Sequence, residues 1–186
     1  MRMGKINMEI KLYILCGLIG SGKSTWAREK AKGDKTVIIN KDQIRTMLEG
    51  EYFFDNEYEQ LVKQLAKISI IRALEKGFNV IVDETNITKI KRQIYFGLIK
   101  EFSSIIDYNV KVEIMYFPER EKNIENRMKD PKGQSRESWE AVYKGMVSSF
   151  EEPTIQELPR NGILTTVYRQ KDDSYIYDTI VTPHQV

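Results

Sequence analysis

Gly17-Leu18-Ile19-Gly20-Ser21-Gly22-Lys23-Ser24 fits the spacing G-x-x-x-x-G-K-[ST] at every fixed place. The apolar run Ile10-Lys11-Leu12-Tyr13-Ile14-Leu15-Cys16 precedes it and Ser24-Thr25-Trp26-Ala27-Arg28-Glu29-Lys30 follows, which supplies the strand before and the helix after that such a loop requires. Glycines let the backbone turn tightly and aim successive N–H groups inward, and the helix that follows turns its positive dipole end toward the same point. Gly17, Gly20, Ser21, Gly22, Lys23, Ser24 and Thr25 are therefore the expected contacts to the phosphates of a nucleoside triphosphate. Lys23 would reach the β- and γ-phosphates and the Ser24 hydroxyl would hold Mg²⁺.

Working outward, strand-like and helix-like stretches alternate. Thr36-Val37-Ile38-Ile39-Asn40 is a β-branched run of the kind found in buried parallel strands, and Lys41 to Leu48 reads as a short helix. From Glu57 to Lys76 the apolar residues Leu61, Leu65, Ile68, Ile71 and Leu74 recur at helical spacing, and Gly77 ends the helix. Phe78-Asn79-Val80-Ile81-Val82 is a further buried strand, and Thr88 to Phe102 a helix with Ile90, Ile94, Leu98 and Phe102 on one face. Val110 to Phe117 alternates enough to sit near a sheet edge; Pro118 would open a helix to Met128, and Ser135 would cap a helix from Trp139 to Phe150. Ile163 to Tyr168 and Tyr175 to Ile180 read as two strands joined around Asp172-Asp173, and Met1 to Met8 as a short leader. The fold expected is α/β, a P-loop NTPase fold with a parallel sheet covered by helices on both faces and a helical lid near residues 126–150.

Composition is consistent with that. The chain has 186 residues, with 41% hydrophobic and 30% charged residues, and reads as one domain, residues 1–186. One cysteine, Cys16, allows no internal disulfide, and no apolar run is long enough for a signal peptide or membrane span, so a cytoplasmic location is expected without a membrane partner. The formal net charge of +2 does not announce a nucleic-acid binder, and the single histidine, His184, lies in the tail, away from any expected chemistry.

In open parallel sheets ligands bind beyond the carboxyl ends of the strands. That rule gathers the glycine loop, Asp42 and Asp83 at one edge. Asp83 ends Val80-Ile81-Val82, where a second acid meets the Mg²⁺ held by Ser24; Glu84 beside it should point the other way at a strand end. Asp42, in the first turn of its helix, is placed to take a proton from an attacking hydroxyl. Arg45 falls on the same helix face and either holds an anionic group of the acceptor or pairs with Asp42. Asn40-Lys41-Asp42 lacks the spacing of the guanine-reading N-K-x-D. Arg127, Lys129, Lys132 and Arg136 surround Pro131 and Gly133, as a lid closing over a nucleotide would require.

These residues carry a resemblance. Gly20-Ser21-Gly22-Lys23-Ser24-Thr25-Trp26-Ala27-Arg28-Glu29, Ile39-Asn40-Lys41-Asp42-Gln43-Ile44-Arg45 and Val82-Asp83-Glu84-Thr85-Asn86 resemble the P-loop kinases of the polynucleotide 5′-hydroxyl kinase family over roughly residues 10 to 155. The resemblance implies an ATP- and Mg²⁺-dependent kinase acting on the 5′-OH end of RNA or DNA. It assigns Asp42 as base, Arg45 to the acceptor phosphate and Arg127 to the lid, with Lys23 on the transferring group. Aligned on Thr85-Asn86, the family's functional acid falls on Glu84, which would then contact the acceptor, so Asp83 and Glu84 compete for that role. Only Arg127 lies near the register of the family's lid arginines. The D-x-D-G-[TS] sequence of an associated phosphatase is absent.

Leu15-Cys16-Gly17-Leu18 also resembles the loops of seryl-tRNA kinases, which leaves a small-molecule or aminoacyl-tRNA acceptor as an alternative. A non-catalytic NTP-binding module is the third reading. Tyr52, Phe53 and Phe54 form an aromatic loop that suits a stacked acceptor base, an apolar flap or an oligomer contact.

Overall fold

The computed structural model describes residues 6–154, 165–171 and 176–179. In chain order these form β1 (Ile6–Gly17), α1 (Lys23–Ala31), β2 (Thr36–Ile39), α2 (Lys41–Glu49), α3 (Asn56–Glu75), β3 (Asn79–Val82), α4 (Lys89–Glu101), β4 (Tyr108–Phe117), α5 (Asn123–Met128), α6 (Arg136–Ser148), β5 (Thr165–Lys171) and β6 (Ile176–Thr179). Of the expected leader Met1 to Met8, Ile6 to Met8 belong to β1, while Met1 to Lys5, the turn at Asp172-Asp173 and His184 lie outside the described residues.

Six strands form one sheet in the order β2-β3-β1-β4-β5-β6. The first five run parallel, with Leu12 opposite both Val80 and Val112; β6 pairs antiparallel to β5 and closes that edge. The side-chain period of two divides β1 between two cores. Ile10, Leu12, Ile14 and Cys16 pack with Ala66, Ile70 and Leu74 of α3 and with Tyr95, Phe96 and Ile99 of α4. Tyr13 and Leu15 pack on the other face with Trp26 and Ala27 of α1, where the Trp26 ring meets Tyr13 and Phe117 edge-on at 5.7 and 6.1 Å. Each of the large aliphatic side chains among them contributes roughly 1.5–3 kcal/mol, and the two cores together cover both faces of the sheet, as an α/β P-loop fold requires.

Several elements sit differently from the reading of periodicity. On α4, Ile90 and Ile94 are 74% and 60% exposed, while Arg92, Tyr95, Phe96, Leu98 and Ile99 are buried. The cause is Arg92: its Nη1 donates to the Asn86 carbonyl at 2.9 Å and reaches Cys16 Sγ at 3.5 Å. A side chain that reads as polar is thereby satisfied inside, and the helix is rotated about its axis. On α3 the buried stripe is Val62, Ala66, Ile70, Ile71 and Leu74, leaving Leu61 and Ile68 outside. β4 lies between β1 and β5 and not near an edge; its alternation comes from Glu113, buried beside Lys11 at 2.9 Å and Lys111 at 3.4 Å. Among the described residues β2 and β6 are the edge strands instead. Pro118 does not open α5, which starts at Asn123, and α6 starts at Arg136, where Ser135 Oγ accepts from the Ser138 amide at 3.2 Å.

Candidate active site

The glycine loop is held from beneath by backbone. Where β1 ends, the Gly17 amide donates to the Thr85 carbonyl at 2.9 Å, and Asn86 Nδ2 donates to the Leu15 carbonyl at 2.9 Å. Asn86 adopts φ +41°, and the Tyr95 hydroxyl approaches its Oδ1 at 3.4 Å. Thr85-Asn86 thus fastens the loop's entry to the end of β3. The loop's crest touches α5: a Cβ placed on Gly20 (φ +69°) would lie 1.8 Å from the Asn123 carbonyl oxygen, and Asn126 Nδ2 donates to the Gly20 carbonyl at 3.2 Å. Only glycine fits that approach.

Gly22 is the N-cap of α1 and brings no side-chain cap, so the first turn of the helix offers its amide donors and dipole to the loop's concavity. Lys23 is buried and donates from Nζ to the Leu18 carbonyl at 2.6 Å and to Ser21 Oγ at 3.2 Å. Burial pushes its ammonium down to about 8, against the opposing pull of Asp83.

A cleft of about 740 Å³ opens over this loop. Its walls include Gly20, Ser21, Gly22, Lys23, Ser24 and Thr25 from the loop, Asp42 from α2, Asp83 after β3, and Arg127, Lys129 and Lys132 from α5 and the following turn. The structure therefore brings four segments distant in sequence to one place. Gly17, Arg45 and Glu84 are not among the lining residues.

Each acid has its own surroundings. Asp83 is 7% exposed, and Asn40 Nδ2 donates to its Oδ2 at 3.0 Å and to its carbonyl at 2.8 Å. Asn40 also caps α2, its Oδ1 accepting from the Gln43 amide, so one side chain fixes both the helix start and the acid. Glu84 pairs with Lys41 at 2.8 Å, and its charge together with burial raises the Tyr95 hydroxyl above its ordinary range. Of the two competing acids, Asp83 lines the cleft and Glu84 is engaged with Lys41. A hydroxyl, Ser24, and a buried carboxylate, Asp83, line the same cleft and are hard-oxygen donors of the kind that would suit Mg²⁺ with substrate phosphates and water completing its shell.

Asp42 is held between two cations. Its Oδ1 accepts from Arg45 Nη1 at 2.6 Å and its Oδ2 from Lys132 Nζ at 2.6 Å. Arg45 turns its Nε to Glu59 of α3 at 2.7 Å. Burial disfavours that guanidinium's charge, yet the hydrogen bond and charge of Glu59, together with Asp42, outweigh it and leave Arg45 above its ordinary value. Arg45 thus pairs with Asp42 in this structure.

On the lid side, the Arg127 guanidinium stacks 4.1 Å from the Trp139 ring centroid, and its Nε and Nη2 are buried without a hydrogen-bond partner. Trp139 is itself fixed by Nε1 donating to the Pro131 carbonyl at 2.8 Å. Orphaned donors on a cation facing a phosphate loop fit an anionic ligand. Arg136 pairs with Glu125 and Glu140 at 3.4 Å each and is not among the lining residues. Asn126, Glu59 and Trp139 are structural contributors that the sequence reading missed. Asn40 carried a usable signal, a polar residue between a β-branched run and a helix, whereas Glu59 and Trp139 matter through contacts no local pattern encodes.

Among the described residues no helix is long and apolar enough to cross a membrane. The chain is 30% identical over 164 residues to the L-seryl-tRNA(Sec) kinase of Methanococcus maripaludis, a match covering 83% of this chain and 59% of that protein. It resembles a chain of the Pnkp1/Rnl/Hen1 complex at 27% identity and a TM-score of 0.51, covering 69% of this chain and 41% of that one. A fungal RNA kinase shares the fold at a TM-score of 0.66 and 15% identity, covering 92% and 81%. The chain thus spans about half the length of the first two relatives. A family model described as an AAA domain matches residues 12–153, and the chain belongs to that family, as a P-loop domain whose neighbours include kinases.

Proposed function

We propose that this cleft transfers the γ-phosphate of ATP to an acceptor hydroxyl, the 5′-OH end of RNA or DNA. The observation that carries the reading is Asp42: its carboxylate lines the same cleft as the phosphate loop, braced at 2.6 Å by a cation on each oxygen. Each carboxylate oxygen keeps further acceptor capacity beyond one such bond, so the acceptor hydroxyl can donate there. The amides of the glycine loop, with Lys23 and Thr25, bind the triphosphate. Ser24 and Asp83 would hold Mg²⁺, which would supply charge neutralisation on the phosphates. The acceptor oxygen forms its bond to the γ-phosphorus as its proton passes to Asp42, and ADP departs with the electron pair of the broken P–O bond. Arg127, with free donors beside the loop, neutralises charge on the transferring group. Glu84 shapes the loop after β3 through Lys41, leaving the metal to Asp83. The similarity to a chain of the Pnkp1 complex supports the polynucleotide acceptor.

The second reading, an aminoacyl-tRNA acceptor, is favoured by the 30% identity to the seryl-tRNA(Sec) kinase. One experiment separates them: labelled ATP and magnesium with 5′-OH RNA, 5′-OH DNA, seryl-tRNA and nucleosides. We expect transfer to the 5′-OH oligonucleotides, reduced about 10²–10⁴-fold in Asp42→Asn while ATP binding persists. Transfer confined to seryl-tRNA would move the assignment to the second reading. ATP hydrolysis that no acceptor stimulates would sink both.

A further inference from the structure

The loop between α2 and α3 carries three consecutive aromatic residues, and the structure gives them different employment. The loop is pinned at both ends: Gly50 closes α2 with φ +81°, and Asp55 caps α3 by accepting from the Glu57 amide at 2.7 Å. Phe53 is used internally, edge-on to Tyr58 at 5.0 Å. Tyr52 and Phe54 instead meet the cations that brace Asp42. Lys132 Nζ lies 4.9 Å from the Tyr52 ring centroid, and the Arg45 guanidinium 5.3 Å from that of Phe54. Each ring is therefore one side chain away from the Asp42 carboxylate, and Phe54 is 63% exposed.

We propose that Tyr52 and Phe54 form a stacking platform for the base of the acceptor nucleotide whose hydroxyl approaches Asp42. The inference rests on the hydroxyl-acceptor reading above and names the part of the acceptor that the site holds. A ring left largely in water beside a candidate catalytic carboxylate is matched by a ligand with a flat π face, and a nucleobase attached to the sugar bearing the reacting hydroxyl supplies one. Such stacking tolerates any base, because every base has a π face, which suits an acceptor chosen by its end and not by its sequence. Arg45 and Lys132 fix the rings' orientation through cation–π contact, so the platform is pre-set in the same cluster that sets Asp42.

The test compares two 5′-OH trinucleotides, one with a normal base and one abasic at the 5′ position. Both are measured for equilibrium binding and for phosphate transfer with the wild-type chain, Phe54→Ala, Tyr52→Ala and Phe54→Trp. Wild-type is expected to bind the normal trinucleotide about tenfold more tightly than the abasic one. That preference should vanish in Phe54→Ala, weaken in Tyr52→Ala and return in Phe54→Trp, with ATP affinity constant throughout. A preference that survives both alanine variants, or is absent from the wild type, overturns the platform even if transfer proceeds. Base-dependent binding that the alanine variants abolish, with no transfer to either trinucleotide, would uphold the platform and overturn the kinase reading instead. Phe54 is exposed, so its replacement leaves the fold intact for this comparison.

Discussion

The floor of the cleft and its acceptor wall are built from different materials. The floor is mostly main chain, Gly17 on Thr85 and Gly20 against Asn123, with one buried side-chain amide, Asn86, beneath the Leu15 carbonyl. The acceptor wall is side chain: Asp42 between Arg45 and Lys132, with Tyr52 and Phe54 against those cations, on short helices and turns. Backbone geometry is insensitive to which residues decorate it, so a phosphate cradle can be common to many relatives. A wall of salt bridges and rings changes with each substitution, so under the proposed reading it is where acceptor choice would be set.

The contrast yields expectations of decreasing size. Gly20→Ala should cost about 4 kcal/mol of stability and eliminate ATP binding, since its Cβ would overlap the Asn123 carbonyl at a left-handed φ. Thermal unfolding and a nucleotide titration measure both, and a stable variant with normal ATP affinity would break the claim that the floor is rigid. Asn86→Ala should cost about 2 kcal/mol, because it strands the buried Leu15 carbonyl. Denaturant midpoints would show it, along with weaker ATP binding and an unchanged preference among acceptors.

Next comes pH. Lys23 attracts phosphate only when protonated, and its ammonium sits at about 8. ATP affinity should therefore be level below pH 8 and fall by up to about tenfold per pH unit above it. Without ATP the sign reverses for stability. The ordinary value of 10.5 applies to the unfolded chain, so between about 8 and 10.5 the unfolded state holds more protons and the contribution of Lys23 to stability rises with pH. Calorimetric titration across pH 7 to 9.5 would reveal affinity that stays flat if this placement of Lys23 were mistaken. The smallest effect is expected for Lys132→Ala, under about 1 kcal/mol in stability, as befits a partly exposed ion pair. Its acceptor KM should change more than its ATP KM, and equal changes in steady-state kinetics would dissolve the distinction between floor and wall.

Much of the floor was legible because its signals are local. The glycine spacing, the β-branched runs of β2 and β3 and the strand-end acid all sit within a few residues of what they do. Asp42 was legible for the same reason, as was Arg45 three residues on. The lysine that completes the Asp42 pair stands 90 positions away in the chain, and no periodicity links such residues. The α4 face was misjudged at Ile90 and Ile94 because hydrophobic spacing treats arginine as an outward residue, and Arg92 is satisfied inside by Asn86 and Cys16. β4 was placed too near an edge because Glu113 mimics solvent alternation while buried between two lysines. In each case a polar side chain found its partner in tertiary structure.

β2 occupies one margin of the sheet and is hydrogen-bonded to β3 alone. The segment it launches, with Asn40, Asp42, Arg45 and the aromatic turn, joins the sheet through that one strand and meets the rest of the cleft by side chains, Asn40 on Asp83, Lys41 on Glu84 and Asp42 on Lys132. Under the proposed reading, exchanging residues 46–58 for those of a relative should alter acceptor preference while those contacts keep the glycine-loop side of the cleft as it is, which makes this margin the natural cutting line for recombination, in evolution or by design.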